Sequence, residues 1–600
     1  MKKLLLPAYW LLPLFGGINT IPPLAAQSVV YVNYQATGAA NGSSWADAYP
    51  TLQAAIDAAP AGAQIWVAQG VYRPTQTHSG NTARHKTFFI DKALACYGGF
   101  QGSETALDQR GDPAAYPTVL SGDLDADDLD TDGNAIAETP DAISGENAYH
   151  VCWIDQHCTQ ALLDGFVISA GQANGSGLDV FGGALLHVAP ADSLRSELTL
   201  SHCSFAGNLA SVQGGAVYNS TSGGEAPLHL TECSFQGNRS LSIGGALANL
   251  GDNFGVANMD LLHCRFSGNR AADAGGAIFC GSTFNSTVDP VLLNCIFEDN
   301  RAAQGGAVYV GSNNISSTFP RLINCAFLDN AATGAPGVPA RGGAIYQFGI
   351  YLSISRSTFV NCTLYHNSAG GDTASNGSGF FIQSEANSFV QGQAYNCIFW
   401  QNPGASIVSP ANSLLLSYIL LENDACPPGV TCGAGMRYNQ DPLFADTLAG
   451  DLRLRAGSPA IDAGGNNLIS TLTQTDIEGN ARIVNATGLP EAIVDLGAYE
   501  FPVSTAAAAR PADYPTLLIR PNPAGPAATL EFYRSEAGNL NLSVFSLAGR
   551  VVLQREMLAA AGKNTWTLPS GRWANGIYRV VLSEGSQVFA SRTLLKCGPD

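Results

Sequence analysis

Short apolar runs alternate with polar residues through the middle of the chain, as in Leu198-Thr199-Leu200 followed by Cys203 and Phe205. The same pattern returns in Leu228-His229-Leu230 followed by Cys233 and Phe235. A period of two marks a strand with one buried face. The alternation recurs because one phrase, Cys-x-Phe-x-x-Asn, starts at Cys203, Cys233, Cys264, Cys295, Cys325, Cys362 and Cys397, with Leu364 in the Phe place of the sixth copy. Gly-Gly-Ala accompanies it at Gly182, Gly214, Gly244, Gly275, Gly305 and Gly342. Copies lie 30 or 31 residues apart, stretching to 37 and 35 in the last two intervals. Each copy must be one structural unit stacked on the next. A helical repeat is opposed by the Gly pairs and β-branched residues. The pattern predicts an all-β fold, a parallel β-helix with rungs of about 30 residues. Its right hand follows from the general preference of parallel crossovers.

Rungs about 4.8 Å apart place equivalent side chains in columns. Cys203 to Cys397 then forms one interior column, and Phe205, Phe235, Phe266, Phe297, Phe327, Leu364 and Phe399 another. In-register parallel Cβ atoms sit slightly too far apart for good disulfide geometry, so the Cys column reads as packed thiols. Cys426 and Cys432, in a short polar loop, are the best disulfide pair. The Asn five residues after each Cys (Asn208, Asn238, Asn269, Asn300, Asn330, Asn367, Asn402) suits a left-handed, locally bonded corner. Gly-Gly permits another sharp bend.

The ends differ from the repeat. Met1-Lys2-Lys3, a mainly apolar stretch and Leu24-Ala25-Ala26 read as a signal peptide over 1–26, cleaved after Ala26. Pro7, Pro13, Pro22 and Pro23 argue against a membrane anchor, and no later apolar run is long enough to span. A strand at Val29–Asn33 and helical spacing at Leu52, Ala55, Ile56 and Ala59 predict a cap over the solenoid's open end, and Ile65–Ala68 begins the parallel strands, so 27–100 holds the cap and the first rungs. The β-helix proper is assigned to 101–436, and a closing region to 437–501, with strands at Leu452–Leu454 and Gly497–Phe501. A Pro- and Ala-rich linker, 502–513, precedes a small β-sandwich over 514–600, read from the alternation of Leu540, Leu542, Val544, Val551 and Leu553.

Composition narrows the partners. The 600-residue chain carries 66 Gly, only 13% charged residues and a formal net charge of −19. No lysine stands between Lys92 and Lys563. Nucleic acid and anionic membranes are poor partners for such a surface, and a polyanionic glycan would need bridging cations.

Three constellations could carry chemistry. Asp128-x-Asp130-x-Asp132-Gly133, within a run that starts at Asp123, has the spacing of a calcium loop, although Glu138 falls at the eleventh place rather than the twelfth. Its alternative is a solvated acidic insertion. The residues one before each Cys form an outward row, of which His202, Glu232 and His263, with Arg265 beside them, could hold a metal or do acid–base work. Asn294, Asn324, Asn361 and Asn396 continue that row and point instead to a hydrogen-bonded surface ladder, so that Asn294→Ala should cost little. The Asn corners are read as structural.

The phrases Tyr31-Val32-Asn33, Gly42–Tyr49 and Ile65–Tyr72 resemble the start of secreted pectin-lyase-like β-helix proteins of Bacteroidota. Gly457–Gly464, Asp476, Gly479, Arg482 and Val494–Glu500 resemble the ending called the choice-of-anchor Q region. The last domain resembles a type IX secretion (Por system) sorting domain through Pro521, Asn522, Pro523, Gly549, Gly576, Tyr578 and Lys596. That resemblance implies handling by the type IX machinery, export across the outer membrane, and removal of this domain with release or anchoring. Two functions stay open: a non-enzymatic adhesin, binding or structural protein toward glycans or surfaces, and a polysaccharide lyase or glycoside hydrolase. A lyase needs a base and a cation for the substrate carboxylate, which the lysine-free repeats disfavour. A hydrolase needs paired carboxylates, and no rung-to-rung acidic pair stands out.

Overall fold

The computed structural model describes residues 28–502, apart from 131, 190–193, 371–375, 471, 473–474 and 486–490, and most of 518–596. The signal peptide and Ala26 lie outside the described residues, as do Pro521, Asn522, Pro523 and Gly549. The repeats wind into a right-handed parallel β-helix of three ladders, with 25, 7 and 10 strands. One rung shows the plan. Glu197–Ser201, Ser204–Ala206 and Leu209–Ala210 follow one another around the coil, and Val217–Ser222 closes it. Each pairs in parallel with its counterpart one repeat later, Leu198 with Leu228 and Phe205 with Phe235.

The interior columns stand as the alternation implies. Phe205, Phe235, Phe266, Phe297 and Phe327 are fully buried, with successive ring centroids 4.6, 4.7, 5.0 and 4.7 Å apart and rings within 6° of parallel. The seven Cys of the repeat are buried free thiols beside them. Cys426 and Cys432 form a disulfide.

The Asn column needs correction. Asn208 through Asn402 are not the left-handed corners; those are Gly207, Gly237, Gly268, Asp299, Asp329, His366 and Gln401, one residue earlier. The Asn side chains instead turn inward and form a buried ladder. Asn238 Nδ2 donates to Asn269 Oδ1 at 3.0 Å and to the Phe205 carbonyl at 2.9 Å, and its backbone N–H reaches Asn269 Oδ1 at 3.1 Å. The same bonds recur from Asn208 to Asn402, so the corner's backbone groups are satisfied from inside.

Val29–Val32 pairs in parallel with Gln64–Ala68, so the first strand is already a rung, and the helix Leu52–Ala58, capped by Thr51, packs over the end. At the far end the expected strand at Gly497–Phe501 is absent; Phe444–Asp446 and Asp451–Leu454 pair antiparallel, and 455–501 is largely irregular. This segment lies along the side of the last rungs. Asn324 Nδ2 donates to the Thr475 carbonyl at 2.7 Å, Asn361 Nδ2 to Asp495 O at 3.1 Å, and Gly465 N–H to Asn396 Oδ1 at 2.8 Å. Arg482 bridges Glu500 at 3.0 Å and Asn324 Oδ1 at 2.9 Å, all out of solvent. The residues that carry the resemblance of this ending therefore dock it. In the C-terminal part, two antiparallel sheets of three and four strands share a core of Leu530, Leu542, Val544, Tyr578 and Val580.

Candidate functional site

The row before each Cys turns one corner of the coil. His202, Glu232, His263, Asn294, Asn324, Asn361 and Asn396 all have φ between 49° and 56°. His202 and Glu232 are open to solvent, with side chains 41% and 58% exposed. Asn294, Asn324, Asn361 and Asn396 are buried, the last three beneath the closing segment. The expected surface ladder is thus hydrogen-bonded but covered. Asn294 accepts from Asn324 Nδ2 at 2.9 Å and lies 3.3 Å from His263 Nε2.

On the open rungs the charged groups answer one another. Arg110 Nη2 holds Asp164 Oδ1 at 2.8 Å, His202 Nδ1 lies 3.3 Å from the same oxygen, and His202 Nε2 lies 3.5 Å from Glu232 Oε2. Arg265 pairs with Glu298. Beside them His229 lies between Asp260 at 3.1 Å and Glu197 at 3.7 Å. The Asp260 carboxylate accepts a hydrogen bond from the His229 ring and favours its charged form, raising its pKa. His202, Glu232 and His263 stand on consecutive rungs as expected, with Arg265 beside them; Asp164 and Glu298 face guanidinium groups, and Glu232 faces the His202 ring.

The acidic run folds into a loop that regroups its carboxylates. Asp130 spends both oxygens on the backbone N–H groups of Gly133, Asn134 and Ala135, at 2.7, 3.2 and 2.9 Å. Asp132 accepts from Asn134 Nδ2. The oxygens that converge within 4.8 Å of one another belong to Asp123, Asp127 and Asp128. Only Asp128 is shared with the trio expected from spacing, because Asp130 acts as the turn's internal acceptor. Burial pushes Asp128 up to about 6, against hydrogen bonds from Ser144 and Asn147. Arg73 approaches Asp123 at 3.5 Å.

A second cluster was not legible in the sequence. His85, His150 and Asp179 each precede the strand of one rung in the ten-stranded ladder, at Phe88–Ile90, Cys152–Ile154 and Leu185–Ala189. Asp179 Oδ2 lies 3.4 Å from His85 Nε2, and its Oδ1 lies 3.5 Å from His150 Nε2. His150 is buried and donates Nδ1–H to the Gly182 carbonyl at 3.0 Å, which leaves Nε2 facing Asp179. Lys86, Tyr149 and Trp153 complete a shallow depression too tight to hold a water molecule. Separations of 65 and 29 residues outside the regular repeat hid it.

A third feature lies on the turns that follow the same ladder. Asn253-Phe254, Phe284-Asn285, Asn314-Ile315, Tyr351-Leu352 and Ala386-Asn387 have positive φ at both residues. Phe254, Phe284, Ile315, Tyr351 and Leu352 are 51–72% exposed. Gly or Asn suits such turns; a bulky or branched residue there costs roughly 1–2 kcal/mol.

Residues 518–596 match the family described as the secretion system C-terminal sorting domain. Gly576 and Lys596, two of the expected sorting residues, pair across the last two strands, and Tyr578 is buried in the core. Residues 202–220, 263–281 and 294–311 match the Chlamydia polymorphic membrane protein repeat, which here coincides with three coils of the solenoid. No curated protein matches the chain. The sorting domain assigns the protein to type IX export, to the cell surface or the extracellular space. Among the described residues, no helix is long and apolar enough to cross a membrane.

Proposed function

We propose that the protein is a binding component of the cell exterior, an adhesin or structural element directed at glycans or surfaces, related to the pectin-lyase-like β-helix proteins that Bacteroidota secrete. The observation that carries this reading is the self-paired sheet face: Asp164 and Glu298 are matched by the guanidinium groups of Arg110 and Arg265, and Glu232 lies against the His202 ring. A carboxylate held by a cation is a poor general acid, and a bound guanidinium is a poor clamp for a substrate. The acidic loop would take calcium as an accessory ion through Asp123, Asp127 and Asp128. A second reading, a polysaccharide-active enzyme, is favoured by His150, whose Nε2 faces the depression beside Asp179, His85 and Lys86. A glycan array run beside a polysaccharide degradation screen on the full chain separates the two. Sugar binding without cleavage is expected, and release of oligosaccharides overturns the binding reading.

A further inference from the structure

The five strained turns form one continuous ridge. Phe254 N–H reaches the Phe284 carbonyl at 3.0 Å, Asn285 reaches Asn314 at 3.2 Å, Ile315 reaches Tyr351 at 3.0 Å and Leu352 reaches Ala386 at 3.2 Å. Four of the turns are also stapled from within by a serine hydroxyl, which accepts the N–H three residues earlier: Thr283 to Ser286, Asn313 to Ser316, Ile350 to Ser353 and Glu385 to Ser388, at 2.8–3.1 Å. The tips are therefore fixed in place, one rung after another. Asn and an apolar residue share three consecutive turns, and the order within the turn reverses from Asn253-Phe254 to Phe284-Asn285 and back to Asn314-Ile315. Aromatic faces thus sit next to amide groups both along and across the ridge. Phe389, 44% exposed with the Arg356 guanidinium 5.0 Å above its ring, extends the surface at the last turn.

Nothing in the packing asks for bulky side chains here, since they point to solvent at a backbone conformation that Asn or Gly adopts more cheaply. Exposed apolar groups held in strained backbone point to a binding role. The five side chains offer about 500 Å², short of the roughly 800 Å² per partner of a stable protein interface, which disfavours a second copy as occupant. None of the five turns carries a lysine or arginine, Arg356 lies at one end stacked on Phe389, and Asp252 and Glu385 flank the ridge, so the ridge disfavours a polyanion or an anionic membrane. A surface that repeats at every rung suits a ligand that itself repeats.

We infer that this ridge binds a neutral polysaccharide strand laid along the solenoid axis, its sugar faces on Phe254, Phe284 and Tyr351 and its hydroxyls on the neighbouring Asn amides. This deepens the binding reading and rests on it. The test compares the full chain with a triple variant, Phe254→Asn, Phe284→Asn and Tyr351→Asn, by affinity electrophoresis in gels holding a neutral glucan, a galactomannan or polygalacturonate. Asn relieves the backbone strain, so the variant should melt no lower than the parent, which separates lost binding from lost fold. Retardation by a neutral polymer, weakened at least tenfold in the variant, is expected. Equal retardation of parent and variant, retardation by polygalacturonate alone, no retardation in any gel, or a ridge-dependent dimer in light scattering each overturns the inference. Unchanged retardation would leave the general binding reading standing, whereas cleavage of the polymer would end that reading itself.

Discussion

At the scale of single residues, the interior separates groups that fill space from groups that satisfy polar atoms. Phe266 lies between Phe235 and Phe297 with no exposure, so Phe266→Ala should cost about 3–5 kcal/mol, read as a fall in denaturant midpoint. Asn294→Ala should also be costly, by about 1–3 kcal/mol, since it strips a buried partner from Asn324 and loses a residue suited to φ 56°. An Asn294→Ala protein as stable as the parent would contradict the burial of that row. His187 is fully buried between Asn219 Oδ1 at 2.5 Å and Ser196 Oγ at 2.9 Å, and burial lowers its pKa to about 4. The unfolded chain, with His near 6.5, binds that proton first, so stability is complete above about pH 6.5 and is lost as pH falls toward 4, by roughly 3 kcal/mol. Asn219 and Asn249 follow His187 in register, so His187→Asn should keep the ladder and flatten this part of the acid melting profile.

At the scale of elements, the acidic loop is the segment most sensitive to cations. Asp128 has a raised pKa, so the folded state binds its proton more readily and gains stability as pH falls through about 6, the opposite sign to His187. A calcium ion on Asp123, Asp127 and Asp128 would compete with that proton. Calcium should therefore raise the melting temperature more at about pH 7.5 than at about pH 5, and Asp127→Asn with Asp128→Asn should remove the increment. Asp130→Asn should lower the melting temperature with calcium and with chelator alike, because its carboxylate caps the turn. Coincident melts of the parent in calcium and chelator would leave the loop a plain solvated insertion. The closing segment obeys a different logic. The corner row is His, Glu and His where it is open, then Asn from Asn294 onward, and the closing segment bonds Asn324, Asn361 and Asn396. A short amide can hold a left-handed corner and bond the covering chain at the same time, which a longer charged side chain could not do without burying its charge.

At the scale of the whole molecule, the sorting strands and the proposed binding surface occupy separate stretches. The sorting strands occupy 518–596, and the exposed features of the solenoid lie between His85 and Phe389. In a host with type IX secretion, a chain ending at Phe501 should fold, keep its melting temperature and stay in the periplasm. Surface display of that shortened chain, followed by protease shaving of intact cells, would refute the assignment.

How much of this was readable beforehand follows from distance along the chain. Period-two alternation and the 30-residue phrase determined the solenoid, its Phe and Cys columns and the rung-by-rung placement of His202, Glu232 and His263, because stacking converts sequence period directly into spatial neighbours. The short loop between Cys426 and Cys432 likewise announced its own disulfide. Only the tertiary structure decided that the Asn ladder points inward, since an Asn suits a corner and a buried hydrogen bond equally well until the backbone is seen. It alone brought His85, His150 and Asp179 together, regrouped the aspartates around Asp123 and covered the later Asn row with residues 69 to 151 positions away. Those contacts join segments that share no period, and their geometry is set by how irregular loops pack on a finished coil rather than by any local preference of the chain.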